Sequence, residues 1–183
     1  AWMVREYPGC PFERFADDAV VHCRTLAEAE QVLAALRSRM AEGGLELHPD
    51  KTRIVYCKDD NRRDQFPVSE FTFLGFTFRP RGAKDKHGVM FTAFLPAISN
   101  QALKKLSKTV RSWRLHRRTA EESSDLARIV NPVVRGWMNY YGRFYRSALY
   151  PLLDRINTYL LRWIRKKYRV GMKQALRRLA QGH

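Results

Sequence analysis

At 183 residues the chain has room for one domain or two small ones, and its 45% apolar share suffices for a packed core. No run of about 18 apolar residues occurs, which excludes a membrane-spanning helix, and no signal peptide is visible. Cys10, Cys23 and Cys57 are odd in number, form no close pair and lack zinc spacing, so reduced thiols in a cytoplasmic setting are expected.

The formal charge of +16 is unevenly placed. Residues 1–95 hold 14 Lys+Arg against 14 Asp+Glu, whereas residues 96–183 hold 20 against 4. The second half repels itself unless a polyanion sits on it. Nucleic acid is the first candidate and an anionic membrane surface the second.

In chain order, residues 12–24 read as strand, tight turn, strand, with Asp17 and Asp18 at the turn. Two adjacent carboxylates raise each other's pKa, and a hard divalent cation relieves that cost. From these residues alone a solvated hairpin turn is the commoner reading. Thr25-Leu26-Ala27-Glu28 is a capping box that starts a helix. Leu26, Ala29, Leu33, Leu36 and Met40 give its apolar positions, and Gly43-Gly44 ends it. Strands at 45–47 and 51–57, joined by the turn His48-Pro49-Asp50, complete the order hairpin, helix, hairpin. That is a helix packed on an antiparallel sheet.

A polar loop covers 58–69. Residues 71–78 alternate aromatic and small side chains as a strand, with Gly75 marking a bulge or a close backbone approach. Residues 89–95 are its partner, reached through a basic loop around Gly82 and Gly88, and Pro96 marks a boundary. Beyond it the pattern is helical. Ser99 caps a helix to about Trp113, with Leu103, Leu106 and Val110 on one face. Thr119 to Glu122 is a second capping box leading to Leu126, Ile129 and Val130, which Asn131-Pro132 breaks. Pro151 suits the first turn of a helix striped by Leu152, Leu153, Ile156, Leu160, Trp163 and Ile164. A short basic helix follows Gly171. The fold class expected is α+β, with domains at 1–95 and 96–183.

The ordered set resembles the group II intron-encoded reverse transcriptases, from mid-palm through thumb into the maturase-specific domain. Phe15-Ala16-Asp17-Asp18 is similar to that family's Tyr/Phe-Ala-Asp-Asp palm motif. Residues 43–52 resemble the next palm motif, 73–76 the primer-grip hairpin, and 131–141, with Gly136-Trp137 and Asn139-Tyr140-Tyr141, the maturase signature. The likeness spans roughly residues 8–170.

The resemblance implies roles residue by residue. Asp17 would ligate catalytic Mg²⁺ directly and Asp18 would support the site. Lys51 would lie near the incoming triphosphate, where an ordinary strand-start lysine is the alternative. Leu74 and Gly75 would let the primer backbone come close. A two-metal site needs a further carboxylate, which the family takes from an earlier palm strand. Asp50, Asp59, Asp60 and Asp64 fall instead in turns and loops. The chain, which begins at Ala1, is therefore expected to be a piece of a longer RNA-directed DNA polymerase. It should bind RNA but not copy it alone.

The implied partners are group II intron RNA and an RNA template with a DNA primer, with no membrane partner. Arg135, Asn139, Arg143, Arg146, Arg155, Arg162, Arg165, Lys166, Lys167 and Arg169 are the candidate RNA contacts. Tyr140, Tyr141, Tyr145, Tyr159 and Tyr168 interleave with them. Trp137, Tyr140, Tyr141 and Trp163, at helical spacing, suit a core better than base stacking. No histidine is assigned a ligand role. Alternatives are a splicing factor with a degenerate palm, a cellular reverse transcriptase of a defence system, and a membrane-surface protein.

Overall fold

Alternation around the two aspartates forms the expected hairpin. In the computed structural model, which describes residues 2–181, β1 (Phe12–Phe15) pairs antiparallel with β2 (Asp18–Val21), Phe15 opposite Asp18 and Phe12 opposite Val21. Ala16 and Asp17 form the connection, with Ala16 in the left-handed region at φ 54°. The hairpin follows a short helix, α1 (Trp2–Glu6). It belongs to the first of two compact units, residues 1–56 with 65–69; the second takes 57–64 and 70 onward.

The next element in the first unit is α2 (Leu26–Glu42). Thr25 Oγ1 accepts the Glu28 N–H at 3.1 Å. Glu28 reaches back to the Arg24 N–H, one residue before the position a capping box uses. Val32 is the buried residue of this helix, and Leu36 packs on the same small core with Met3 and Cys10. Leu26, at the first helical position, is exposed. At the other end Gly44 takes φ 69°, and the Leu45 and Gly44 N–H groups bond the carbonyls of Met40 and Ala41. This left-handed termination satisfies carbonyls that a helix end otherwise leaves open.

The hairpin expected at 45–57 does not form. Residues 45–48 and 52–57 carry no strand pairing, and the Tyr56 N–H finds its acceptor in Val68. Alternating side chains favour an extended backbone, but a strand exists only through a partner ladder. Among the described residues no such ladder forms along 45–57. The turn is real: the Thr52 N–H bonds the His48 carbonyl at 2.9 Å.

In the second unit, β3 (Phe71–Phe73), β4 (Phe76–Lys84) and β5 (Met90–Ile98) form an antiparallel meander in that order. Residues 71–78 are thus two strands, not one. Leu74 and Gly75, at φ 51° and 80°, make a two-residue hairpin turn with Phe73 opposite Phe76. Gly75 is a turn residue rather than a bulge. Gly82 lies inside β4, opposite Thr92, and the tight turn is at Gly88. Pro96 sits within β5, opposite Phe78, and ends nothing. β5 is an edge strand, where a missing N–H is tolerated. The two units accordingly do not divide at Pro96, because β3–β5 belong with the helices.

Four helices follow: α3 (Asn100–Ser112), α4 (Ser123–Tyr141), α5 (Tyr150–Tyr168) and α6 (Met172–Gln181). Ser99 Oγ caps α3 on the Ala102 N–H at 3.1 Å. α4 starts later than Thr119 implies. Residues 118–121 close a turn of their own, with an Arg118–Glu121 ion pair at 2.8 Å, and Glu122 becomes the cap, its N–H bonded to Asp125. α4 also runs through Pro132. Proline removes one helical hydrogen bond and normally costs about 3 kcal/mol. The carbonyl it frees is that of Arg128, an exposed residue that water can satisfy. Leu126 and Val130 before the proline, and Val134 and Trp137 after it, belong to one continuous core. Burial on both sides holds the helix in register.

That core also buries Val110, Leu115, Leu149, Leu152, Ile156 and Trp163. Fully buried aliphatic residues of this kind contribute about 1.5–3 kcal/mol each. Trp163 satisfies its indole N–H on the Arg118 carbonyl at 2.7 Å.

Candidate metal centre and nucleic-acid interface

The β1–β2 turn presents Asp17 and Asp18 to solvent. Among the described residues neither carboxylate has a hydrogen-bond or ion-pair partner, and no third carboxylate, cysteine or histidine joins them in a cluster. The two exposed carboxylates, adjacent in sequence, offer oxygen donors only, the kind that hard divalent ions take. Lys51 lies in the turn after His48, exposed, rather than at the start of a strand, and no ion pair joins it to either aspartate.

The second site is the β3–β4 turn. Leu74 and Gly75 are fixed by backbone acceptors on both residues. The Tyr140 hydroxyl donates to the Leu74 carbonyl at 3.0 Å, and the Ser99 N–H donates to the Gly75 carbonyl at 2.8 Å. Phe76 packs among Tyr140, Tyr141 and Phe144, with centroids 5.1, 5.3 and 5.7 Å away. A Cβ on Gly75 would stand 3.0 Å from the Tyr141 hydroxyl. So the close approach that glycine allows is to Tyr141. Burial, with Tyr140 adding, raises the Tyr141 phenol above its ordinary pKa. No periodicity in the sequence links residues 74 and 140. The Asn-Tyr-Tyr signature thus braces the hairpin, and its tyrosines are packing groups.

Arg135, Asn139, Arg143, Arg146, Arg155, Arg162, Arg165, Lys166 and Arg169 are all exposed. Along α5, Arg155, Arg162 and Lys166 recur at seven- and four-residue steps and share one helical face, and Arg169 follows as the C-cap in the left-handed region at φ 50°. On α4, Arg128, Asn131, Arg135 and Asn139 line a shallow groove beside Pro132. Lys167 stands apart. Its side chain is 13% exposed, and its ammonium donates to Glu122 at 2.7 Å and to the Glu121 carbonyl at 2.6 Å. It closes the fold rather than offering a free charge. Arg81 is structural too, bonded to the Leu95 and Thr77 carbonyls and lying over the Tyr145 ring. Burial lowers its pKa. Tyr159 stacks on His116, and Trp137 on Trp113. Tyr168 is exposed and carries Arg178 over its ring at 4.2 Å.

One group was missed from the sequence. Cys10, Cys23 and Glu28, read above as unrelated, have their Sγ and carboxylate atoms within 4.8 Å of one another. Burial pushes the Cys23 thiol up to about 11 and also raises Cys10, with Glu28 adding to both. The Arg24 N–H holds the Glu28 carboxyl below its usual range. The signal was available: a two-residue turn at 16–17 pairs residues equidistant from it, and 10 and 23 are such a pair.

Two family models match the chain. The reverse transcriptase (RNA-dependent DNA polymerase) model matches residues 2–78, and the group II intron, maturase-specific domain model matches residues 103–180. No curated protein matches it. No helix among the described residues is long and apolar enough to cross a membrane.

Proposed function

The chain belongs to the group II intron reverse transcriptases/maturases, with a reverse-transcriptase segment followed by the maturase-specific domain, and from that premise we propose a division of labour between its halves. Residues 1–95 contribute part of a polymerase palm and the primer-grip hairpin. Residues 96–183 form the thumb and maturase domain that binds intron RNA and supports its splicing-competent shape. The parent protein copies RNA into DNA from a primer.

In the palm part, Asp17 and Asp18 hold a divalent cation, as reverse transcriptases generally require, and we assign Mg²⁺ from their oxygen-only donor set. When bound, Mg²⁺ lowers the pKa of the primer 3′ hydroxyl and steadies charge on the transferred phosphorus. Lys51 supplies positive charge toward the triphosphate. Leu74 and Gly75 position the primer backbone, and Tyr140 and Tyr141 position that turn. In the helical part the exposed cations of α4 and α5 neutralise phosphates, Lys167 being excluded by its ion pair.

The observation that carries this reading is the exposed face of Arg155, Arg162 and Lys166 on α5, none of them ion-paired among the described residues, within the maturase-specific match. The test is binding to a structured group II intron RNA and to a scrambled RNA of equal length across a salt series. Tight, salt-sensitive binding that prefers the intron is expected. Equal binding to both would reduce residues 96–183 to a general polyanion surface and overturn the maturase assignment of that half.

A further inference from the structure

The β1–β2 hairpin carries a second set of donors at its other end. Its register sets Phe12 opposite Val21, and the His22 N–H bonds the Pro11 carbonyl at 2.8 Å, extending the pairing by one step. Cys10 and Cys23 come next across the same two legs. The first turn of α2 delivers Glu28 to them, through the Thr25 cap. All three donor atoms lie within 4.8 Å of one another, and among the described residues this is the one cluster of three such ligands. Cys10 is buried, while Cys23 and Glu28 are half-exposed, so the group has a dry wall and an open side.

We propose that Cys10, Cys23 and Glu28 form a binding site for one thiophilic divalent cation, Zn²⁺ by preference, at the base of the hairpin whose tip carries Asp17 and Asp18. Zn²⁺ takes thiolate sulfur at about 2.3 Å and carboxylate oxygen at about 2.0–2.2 Å in a tetrahedral shell. Tetrahedral donors at those lengths stand about 3.5–3.8 Å apart, inside the 4.8 Å within which the three donor atoms lie. Three protein ligands leave the fourth position to water on the open side. The two thiol protons leave to solvent on binding. Two thiolates and a carboxylate against a dication leave one negative charge, and Arg24, adjacent in the field of the cluster, offsets it.

The donor set separates this site from the one at the tip. Thiolates select Zn²⁺-like ions and reject Mg²⁺, whereas carboxylates alone do the reverse. The hairpin then holds a soft ion at its base and a hard one at its turn. The base ion ties both legs to α2 and fixes the angle at which the turn leaves the unit. This inference does not depend on the polymerase or RNA-binding reading.

The test is Co²⁺ titration of the reduced, metal-free chain, with Co²⁺ as a spectroscopic stand-in for Zn²⁺. One equivalent should bind, giving a thiolate-to-cobalt charge-transfer band with tetrahedral visible bands. Zn²⁺ should displace it and excess Mg²⁺ should not. Cys23→Ser should lose roughly half of the charge-transfer intensity, one thiolate of two. Glu28→Gln keeps an acceptor for the Arg24 N–H and should keep both thiolate bands, while weakening binding by at least about tenfold. Cys57→Ser should change nothing. No charge-transfer band with Co²⁺ in large excess, or a band that survives Cys23→Ser undiminished, overturns the proposal. Because Cys10→Ala alters a buried position, the half-exposed Cys23 and Glu28 variants carry the test.

Discussion

Gly75→Ala tests how the hairpin at 73–76 is held. Gly75 sits at φ 80°, and a residue with a Cβ costs about 1–2 kcal/mol in that region. The new methyl would also stand 3.0 Å from the Tyr141 hydroxyl and 3.3 Å from Cε1, closer than ordinary contact. Neither side moves freely. Tyr141 packs on Phe76 and Tyr140, and the turn is pinned by the Ser99 N–H and the Tyr140 hydroxyl. Overpacking of this degree adds about 1 kcal/mol, giving a total of roughly 2–3 kcal/mol. For a chain of this length each kcal/mol shifts Tm by about 2–4 °C, so a fall of roughly 5–10 °C is expected. Thermal unfolding followed by tryptophan fluorescence reports it, since Trp113, Trp137 and Trp163 lie in the second unit. The same substitution in a Tyr141→Phe background removes the nearest atom and should recover about 0.5–1 kcal/mol. Identical losses in both backgrounds would refute the steric argument. A loss below about 0.5 kcal/mol would refute the conformational one as well.

Four further outcomes are expected. Asp17→Ala should abolish primer extension by the full-length parent while leaving RNA affinity unchanged; undiminished extension would remove Asp17 from the metal site. Reversing Arg162, Arg165 and Lys166 to Glu should weaken RNA binding and flatten the log–log salt slope by roughly two to three, checked by filter binding over a salt series. Lys167→Ala should instead lower Tm with a smaller effect on that slope, because its charge is already paired with Glu122. Tyr141 gives a pH prediction. The folded state holds its phenolic proton more tightly than the unfolded chain, so that contribution to stability is complete below about pH 10. It is lost as pH rises through the raised folded value. Urea midpoints across the alkaline range should fall less in Tyr141→Phe than in the parent chain.

How much of this was legible beforehand depends on where each feature's cause lies. Local causes were readable. Alternation with a tight turn at Ala16-Asp17 produced the β1–β2 hairpin, Gly44 with its positive φ ended α2, and Ser99 capped α3. The ordered motifs pointed to the family that residues 2–78 and 103–180 match.

Features that depend on a distant partner were not readable. Residues 45–57 have the pattern of strands but lack a ladder, since pairing is decided by a partner and not by alternation. Pro132 should break a helix, yet the core on both sides carries α4 through it. Lys167 is one basic residue among several in sequence, and only packing on Trp163 and Glu122 sets it apart. The tyrosines at 140 and 141 reach the turn at 74–75 across 66 residues, and Cys10 meets Cys23 and Glu28 through hairpin register and a helix cap. The sequence by itself determined the local elements, the family and the charge of each half. Tertiary structure alone decided which cations are free, what braces the primer-grip turn and where two scattered thiols meet, because each of these is a contact between segments whose spacing in the chain encodes no distance.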